Sequence, residues 1–509
     1  LLMTPEYIYV TTPIYYVNAL PHIGSAYTSI ATDVVARFYR QEGRVVKFLT
    51  GTDEHGQKVA QSAEHLGKTP QAFCDEMSTH FRALTPLLNL SPTDYIRTTE
   101  TRHKEAAQAL WKRLRSRDQI YLGTYAGWYD VREETFYRED ELINGKSPAG
   151  NSVEWIEEPS YFFRLSAWQQ PLLEFYRTHP EFIAPSYRRQ EVLRFVEKGL
   201  KDLSVSRSRL TWGIPVPDDP AHVMYVWLDA LTNYLTSLGF PETSEELDCF
   251  WPTCLHLVGK EIVRFHAIYW PAFLMAANLP LPHRIFAHGW LTVDGQKMSK
   301  SLGNVIDPQA LVGTYGSDAV RYFLMREIPF GEDGDFSERA LRRRLNADLA
   351  NDLGNLVQRV LTFIHKHFAA QPPIMHNFSA EDQEFLAIFP SLLTRTRQHM
   401  EKIALHRVLE TIWEGVVAAN RYVDAQKPWV LAKTDQVRLK VVLTVLLDGL
   451  RKIGILLRPF IPDSADKILD MIAVAPEKRT FAYFPESYSP TGSLPPSEIL
   501  FAKVLEDVG

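Results

Sequence analysis

The chain has 509 residues and a formal net charge of −6, with 45% hydrophobic and 23% charged residues. A single hydrophobic core stops growing at roughly 250–300 residues, so we expect two to four folding units. The near-average composition excludes a disordered or repetitive chain. The slight acidity also excludes a generally basic coat for nucleic acid, so any RNA contact must come from local patches such as Arg339, Arg342, Arg343 and Arg344.

Cysteine usage and apolar runs indicate the compartment. Cys74, Cys249 and Cys254 are too few for a disulfide framework, and no Cys/His pairs stand at zinc spacing. We expect buried apolar thiols, and the alternative is that Cys249 and Cys254 are ligands.

The first four residues have no leader pattern, and the longest apolar run, 268–281, is interrupted by a polar residue and prolines. A cytoplasmic protein without a membrane span is therefore expected.

Predicted strands and helices alternate in the N-terminal part of the chain. Residues 26–39 have helical periodicity. Buried strands that run into loops, most of them glycine-bearing, are predicted at 7–12, 45–50, 255–258 and 285–287. This alternation predicts an α/β fold with a doubly wound parallel sheet, which binds ligands beyond the C-terminal ends of its strands.

Two later regions depart from this pattern. Residues 116–223 are rich in Tyr, Trp, Glu and Arg and contain turn signals at Asn144-Gly145 and Pro148, which predicts an inserted α+β domain. From residue 346 onward, long amphipathic stretches such as 353–367 and 437–457 replace the strand signals. The predicted order is a split α/β domain (1–115 and 224–292), the insertion, a connecting region at 293–345 and an all-α helical bundle at 346–509.

Two short motifs carry the chemistry. His22-Ile-Gly-Ser25 follows the first strand and opens a helix, where free backbone N–H groups and the helix dipole favour a phosphate. Lys297-Met-Ser-Lys-Ser301 follows the turn Asp294-Gly295, so two ammonium groups and two hydroxyls project from a loop and suit a polyphosphate leaving group. An ordinary surface loop is the alternative for each motif alone, but it does not explain their pairing.

Both motifs resemble the His-Ile-Gly-His and Lys-Met-Ser-Lys-Ser signatures of the class I aminoacyl-tRNA synthetases. Stretches 11–18, 51–56, 212–217, 225–230 and 259–262, with Phe265-His266, are similar to the methionyl enzymes of that class. The resemblance extends from residue 7 to beyond 429 and implies a Rossmann-like doubly wound parallel sheet, split by the insertion and followed by an anticodon-binding bundle. Region 293–345 would then carry the Lys297 loop and contact the tRNA stem. Ser25 departs from the signature, because serine cannot bring positive charge.

The resemblance also implies the site residues. The expected catalytic residues are His22, Lys297 and Lys300. The expected ATP site adds Gly24, Ser25, Gly259, His288, Gly289, Met298, Ser299 and Ser301. Asp53 is expected to bind the substrate ammonium group. The expected methionine pocket also contains Pro13, Ile14, Tyr16, Trp227, Ala230, Leu231, Tyr234, Ile262, His266 and Trp270. The expected anticodon readers are Asn355, Arg359, Pro428 and Trp429.

The implied reaction has two steps. The methionine carboxylate attacks the α-phosphorus of ATP while Mg²⁺, Lys297 and Lys300 stabilise the departing pyrophosphate and His22 supports the phosphate charge. The terminal 2′-hydroxyl of tRNA(Met), initiator tRNA included, then attacks the adenylate. Neither DNA nor a membrane is an expected partner, and a monomer is expected because the sequence ends soon after the bundle.

A structural zinc is not expected. Many enzymes of this family bind zinc through cysteines in a knuckle of the insertion, and the matching positions here hold Asp130, Glu133, Ser147 and Gly150. A tetrahedral zinc site needs four Cys or His ligands, so packing of the aromatic residues in the insertion must replace it.

Three alternatives remain open at this stage. Leucyl, isoleucyl and valyl synthetases share the signatures, but they carry a larger editing insertion, because one methylene is worth only about 1–3 kcal/mol of discrimination. A small nucleotidyltransferase would lack the C-terminal bundle. A catalytically silent RNA-binding relative would not need the intact Lys297 motif.

Overall fold

The structure is a computed structural model that describes residues 6–133 and 135–506. Predictions that fall on residues 1–5, 134 and 507–509 lie outside this range. The predicted α/β architecture with a parallel sheet and a C-terminal helical region is confirmed. The parallel sheet has seven strands, which are Tyr7–Thr11, Tyr15–Tyr16, Val45–Asp53, Asp94–Arg97, Ile183–Ala184, Leu255–Gly259 and Arg284–His288.

The central strands of this sheet run next to one another in the order 45–53, 7–11, 255–259 and 284–288. Their side chains are buried on both faces because helices cover the sheet on each side, as a parallel sheet requires. The helices of this part are Ile23–Gln41, Gln57–His65, Pro70–Arg82, Leu84–Leu87, Thr101–Ser116, Val226–Leu231, Asn233–Thr236, Glu245–Phe250 and Trp270–Ala276.

The first helix begins at Ile23, three residues before the predicted start at 26. His22 adopts an extended backbone conformation and its side chain accepts a hydrogen bond from the Gly24 N–H, so it acts as the N-cap. Periodicity of apolar residues does not reveal such a cap, because histidine is not a common capping residue.

The inserted region forms antiparallel sheets. One sheet contains Ile120–Asp130, Thr135–Tyr137, Glu154–Phe163 and Leu203–Ser204, and a smaller one contains Ser206–Arg207, Pro215–Val216 and Asp219–Met224. Helices Gln169–Thr178 and Ser186–Glu197 complete this region. However, Ile183–Ala184 pairs in parallel with Arg284–His288 at the edge of the main sheet, although it lies inside the predicted insertion. A two-residue strand before Pro185 is too short to produce a periodic signal.

Region 293–345 and the bundle follow the second half of the sheet. A small sheet of Leu291–Val293, Gln296–Lys297 and Gly334–Phe336 carries the lysine loop. The helices are Pro308–Tyr315, Ser317–Glu327, Glu338–Arg344, Asn355–Phe368, Ala380–Glu401, Leu405–Gln426, Pro428–Thr434, Gln436–Leu457 and Pro462–Met471. A π-helical stretch at Leu345–Gly354 precedes Asn355, so the α-helix predicted from 353 begins two residues later. No helix within the described ranges is long and apolar enough to cross a membrane.

A buried ion pair holds the first helix to the bundle. Asp33 and Arg321 are both inaccessible to solvent and lie 2.7 Å apart. Arg321 also donates to the carbonyl groups of Pro459 and Phe460 at the end of a bundle helix. Burial alone would raise the Asp33 pKa, but Arg321 and Arg37 outweigh it and lower that pKa below its ordinary value.

Replacement of Arg321 by alanine should destabilise the protein by about 3–5 kcal/mol, because it removes one of the two cations that hold the buried Asp33 carboxylate and takes a donor away from the Pro459 and Phe460 carbonyl groups. Urea denaturation followed by intrinsic fluorescence measures the change. The control is Arg177→Ala, which removes an exposed ion pair with Glu174 and should leave the stability nearly unchanged. Equal losses in the two variants would contradict the structural role of Arg321.

Candidate functional site

The site lies at the C-terminal edge of the parallel sheet. Adjacent strands Val45–Asp53, Tyr7–Thr11, Leu255–Gly259 and Arg284–His288 all end there, so their following loops converge. The expected site residues that these strands and loops bring to one edge are Pro13, Ile14, Tyr16, Asp53, Gly259, His288 and Gly289.

His22 is held as a neutral hydrogen-bond donor. Its Nδ1 accepts from the Gly24 N–H at 2.9 Å, so the remaining ring proton is on Nε2. Burial lowers the His22 pKa, although Glu261 opposes the shift. Gly24 is required for this arrangement, because a Cβ at that position would lie 2.6 Å from the His22 ring. The glycine of the motif therefore makes room for the histidine itself.

A second buried histidine faces the same helix. His288 Nε2 lies 2.8 Å from the Thr28 hydroxyl, and its Nδ1 lies 2.8 Å from the Gly289 carbonyl oxygen. Because a carbonyl can only accept, Nδ1 carries the proton and Nε2 accepts from Thr28. Burial lowers the His288 pKa, so the ring is a neutral spacer. Ser25, in the first turn of the helix, donates no hydrogen bond from its hydroxyl to any described residue.

The glycines at the strand ends keep the loops close together. A Cβ on Gly259 would lie 2.3 Å from the Glu261 carboxylate, and one on Gly289 would lie 2.4 Å from the backbone of Asp333. Glu261 accepts from the Trp290 indole at 2.8 Å. These contacts fix the two loops that flank His22.

The lysine loop is anchored by backbone and amide contacts. Asn304 accepts from the Ser299 N–H through its Oδ1 and donates to the Lys297 carbonyl oxygen through its Nδ2. Met298 packs against the main core. The side chains of Lys297 and Lys300 form no hydrogen bond or ion pair with any part of the chain that the structure describes. They therefore remain available for an anionic ligand, while Asn304, which the sequence pattern did not single out, shapes the loop.

The two motifs are joined directly. The Ile23 N–H, one of the unsatisfied donors in the first turn of the helix, donates to the carbonyl oxygen of Ile306 at 3.1 Å. Residue 306 follows the lysine loop by five positions. The loop and the helix start are therefore positioned by the same hydrogen bond.

Aromatic residues form the wall of a pocket beside this edge. The rings of Trp227 and Phe265 stack at 3.9 Å, and Trp227 meets His266 edge to face. The Tyr234 hydroxyl lies 2.7 Å from His266 Nε2, while His266 Nδ1 donates to the Ile262 carbonyl oxygen. Burial lowers the His266 pKa to about 4, so this histidine is neutral.

The helical spacing that grouped Ile262, His266 and Trp270 is not that of a regular α-helix. Residues Phe265–Tyr269 form a π-helical turn between a short 3₁₀ turn and helix Trp270–Ala276. Such turns are frequent at functional sites because they re-aim side chains. Leu231 and Trp270 are fully buried in the core behind the aromatic wall, as is Ala230.

His256 is a buried residue that the sequence pattern did not identify. Its Nε2 accepts from the Trp270 indole, so its Nδ1 donates to the Thr11 hydroxyl at 2.7 Å. Its ring lies against that of Tyr234, with centroids 4.0 Å apart and ring planes tilted by 38°. Burial lowers the His256 pKa, with His266 adding to the shift. This neutral histidine links the first strand to the pocket wall.

Asp53 is a buried carboxyl group that lacks a cation. It is 1% exposed, and its Oδ1 has no hydrogen-bond partner within the described ranges. Burial raises the Asp53 pKa well above its ordinary value, and Asp229 and Glu54 raise it further, whereas the His55 N–H opposes them. Tyr16 pairs with Asp53 across neighbouring strands and is 42% exposed at the mouth of the site. An unpaired buried carboxyl calls for a positively charged ligand.

Asp229, in contrast to Asp53, is a buried carboxyl group that has two histidine partners. His55 Nδ1 lies 2.7 Å from one of its oxygens and His103 Nε2 lies 2.8 Å from the other. Burial alone would raise the Asp229 pKa, but the two histidines lower it to about 2. The sequence pattern did not reveal this network, because His55 and His103 are 174 and 126 positions away from Asp229.

The expected anticodon residues lie together on the bundle, far along the chain from this site. Trp429 is 44% exposed, and the Arg359 guanidinium lies 5.8 Å from its ring centroid. Pro428 is buried and starts the helix that presents Trp429. Asn355 is exposed one turn before Arg359.

Two of the four residues of the arginine patch form ion pairs within the chain. Arg344 pairs with Glu327 and Asp348, and Arg342 pairs with Glu338.

In the inserted region, the segment where relatives bind zinc is held together by hydrogen bonds to the Asp130 carboxylate. Asp130 is inaccessible and accepts from the backbone N–H groups of Arg132 and Glu133 and from the Asn151 amide. Burial opposes these contacts, but together with Ser147 they lower the Asp130 pKa. No group of three or more potential metal ligands occurs among residues 6–133 and 135–506.

Comparison with known proteins agrees with this arrangement. The family described as "tRNA synthetases class I (M)" matches residues 8–154 and 137–361, and the "Anticodon binding domain of methionyl tRNA ligase" matches residues 373–508. The parallel sheet with its two signature loops thus defines a class I aminoacyl-tRNA synthetase.

Relatives match over nearly the full length of the chain. The methionine–tRNA ligase of Brucella suis biovar 1 (strain 1330) is 53% identical over 485 residues, covering 94% of both chains. That of Mesorhizobium japonicum is 49% identical, covering 100% of this chain and 99% of the relative. The structure of "Mycobacterium tuberculosis methionyl-tRNA synthetase in complex with methionyl-adenylate" has a TM-score of 0.93 at 49% identity and covers 97% and 99% of the two chains. The chain belongs to the methionine–tRNA ligase family.

Replacement of Gly24 by alanine should lower adenylate formation by about 100-fold, because the new Cβ displaces the His22 ring. Pyrophosphate exchange measures the loss, and equilibrium binding of methionine should be unchanged. The matched control is Gly313→Ala, which meets no atom within 4 Å on a later helix. Normal exchange by the Gly24 variant would show that the ring position does not matter.

Replacement of Asp53 by asparagine should stabilise the ligand-free protein, and this stabilisation should increase as the pH rises. The folded state binds the Asp53 proton more tightly than the unfolded state, so the free energy of unfolding of the native protein falls as the pH rises from the ordinary aspartate pKa towards the raised one. The asparagine variant lacks this loss. Urea midpoints at mildly acidic and mildly alkaline pH measure the difference, with the exposed Asp140→Asn as control. A constant difference across this range would refute the raised pKa.

Proposed function

We propose that this chain activates L-methionine with ATP and then transfers the methionyl group to the 3′ end of tRNA(Met). The buried Asp53 carboxyl, whose Oδ1 has no hydrogen-bond partner among the described residues, carries the proposal, because it fits an amino acid that brings its own ammonium group. The thioether of methionine suits aromatic walls such as Trp227 and Tyr234. On binding, the substrate ammonium group pairs with ionised Asp53, and the Asp53 proton leaves to solvent.

In the first step, the methionine carboxylate oxygen bonds to the α-phosphorus of ATP as the bond to pyrophosphate breaks. The Nε2–H of His22 donates to a phosphate oxygen, which supports charge without adding a full positive charge. Lys297 and Lys300 supply positive charge to the leaving pyrophosphate. Ser25 adds only a hydroxyl.

Mg²⁺ supplies further charge neutralisation when it is bound with ATP. The described residues contain no cluster of three potential protein ligands, so the phosphate oxygens of the nucleotide would hold most of the ion. The protein's own residues position the phosphates around that ion. In the second step, the terminal 2′-hydroxyl attacks the carbonyl carbon of the adenylate and AMP leaves.

The bundle is proposed to read the anticodon through Asn355, Arg359, Pro428 and Trp429. The exposed indole offers a stacking surface and the neighbouring guanidinium can bond a base edge. We further propose that initiator tRNA is a substrate, that the protein acts as a monomer in the cytoplasm and that it needs no structural zinc.

Methionine-dependent ATP–pyrophosphate exchange against all twenty amino acids tests the proposed function. Methionine should be activated well above every other amino acid, and Asp53→Asn should abolish the activity. Preferential activation of another amino acid would overturn the assignment.

Replacement of Trp429 by alanine should lower tRNA charging by about 5–150-fold and leave exchange unchanged, because stacking on a base is worth about 1–3 kcal/mol. Trp429→Phe should retain most of the charging activity. Val430→Ala changes another exposed apolar residue on the same helix and should have no effect. A parallel loss of exchange would contradict the separation of the two sites.

Protein purified without chelator should contain far less than one equivalent of zinc, because Asp130 satisfies the knuckle with hydrogen bonds. Elemental analysis measures the metal, and chelator treatment should leave exchange unchanged. Stoichiometric zinc whose removal abolishes activity would contradict this.

A further inference from the structure

A second polar crevice lies at the opposite end of the first helix from the site. Helix Ile23–Gln41 begins beside His22 and ends at this crevice, a rise of about 27 Å. The crevice has a volume of about 240 Å³ and separates the helix from the C-terminal bundle. Its polar lining consists of Arg37, Arg40, Gln41, Arg458, Asp466 and Thr480.

Positive charge exceeds negative charge on the helix side of the crevice. Arg37 shares the single carboxylate of Asp33 with the buried Arg321. Arg40 has no carboxylate partner among the described residues and instead donates to the hydroxyl and carbonyl of Ser91. Burial lowers the Arg40 pKa, although Asp33 opposes the shift. A partly desolvated guanidinium group without an anion is unfavourable.

The bundle side of the crevice is electrically balanced. Arg458 and the buried Arg479 share Asp466, and Arg479 also pairs with Asp470. The excess positive charge of Arg37 and Arg40 is therefore not compensated from this side.

Each crevice arginine keeps one nitrogen without an acceptor. The bonded nitrogens are Nε and Nη2 of Arg37, both Nη atoms of Arg40, and Nε and Nη1 of Arg458. Nη1 of Arg37, Nε of Arg40 and Nη2 of Arg458 donate to no described residue. The Thr480 hydroxyl is a further donor in the same lining.

We propose that this crevice is a second anion site, which binds a phosphate or diphosphate group. Guanidinium groups match phosphate oxygens in charge and geometry, and three arginines that line one volume and each keep an unused donor suit a tetrahedral anion. The group can come from free diphosphate or from the backbone of RNA, since both present the same oxygens. The proposal is independent of the methionine pocket.

Isothermal titration of the full-length protein with pyrophosphate tests the proposal. The native protein should show two classes of site. Lys300→Ala should weaken only the class at the lysine loop, and Arg40→Gln should weaken only the other class, by about tenfold or more. The control Arg177→Gln removes the same charge from an exposed ion pair and should retain both classes. Methionine-dependent exchange by Arg40→Gln should remain normal, which separates this test from that of the proposed function.

A second crevice variant and a competition measurement complete the experiment. Thr480→Asp places a carboxylate in the crevice and should abolish the second class of binding even if Arg40→Gln folds poorly. Competition with tRNA in Lys300→Ala distinguishes the sources: displacement of pyrophosphate indicates an RNA backbone ligand, and its absence indicates free diphosphate. A single class of site in the native protein, or a second class that survives both crevice variants, would overturn the proposal.

Discussion

The active site depends on one constraint: its carboxyl groups are buried away from bulk water, so each needs a partner from the protein or from a ligand. Three carboxyl groups are buried here, which are Asp53 at the end of its strand, Glu54 directly after it and Asp229 within helix Val226–Leu231. Arg97 binds Glu54 through two nitrogens, and His55 and His103 hold Asp229. Asp53 has no cationic partner in the part of the chain that the structure describes, and we propose that a ligand supplies it.

We propose that this distribution of partners selects a substrate that carries an ammonium group. A second internal cation near Asp53 would compete with the substrate ammonium group and remove the need for it. A buried carboxyl group without a cation lowers the stability of the folded protein, and such perturbed groups are common at functional sites. The rest of the pocket is then free to be apolar and to select the side chain.

The histidines of the site act as neutral hydrogen-bonding groups. Burial lowers the pKa of His22, His256, His266 and His288, and each ring nitrogen that accepts a hydrogen bond fixes the proton on the other. In the proposed mechanism, positive charge for the phosphates therefore comes from the exposed lysine loop. The Ile23–Ile306 hydrogen bond links the position of this loop to the helix that His22 caps.

The sequence predicted four strands of the main sheet and the helical character of the C-terminal region, because these depend on local periodicity, and it contains both motifs as short patterns. It did not predict the pairing of Ile183–Ala184 with the main sheet, since two residues produce no periodic signal. The π-helical turn at Phe265–Tyr269 and the partners of Asp229 were also not predictable. The partners of Asp229 are distant from it in the chain, and a single sequence does not contain such contacts.

The exchange of the Asp53 proton for the substrate ammonium group is the central claim, and infrared difference spectroscopy tests it most directly. Addition of methionine to the ligand-free protein should remove the C=O stretch of a neutral buried carboxylic acid and add a carboxylate band. The same experiment on Asp53→Asn should show neither change. A native protein whose acid band is absent from the start, or is unaltered by methionine, would contradict the account.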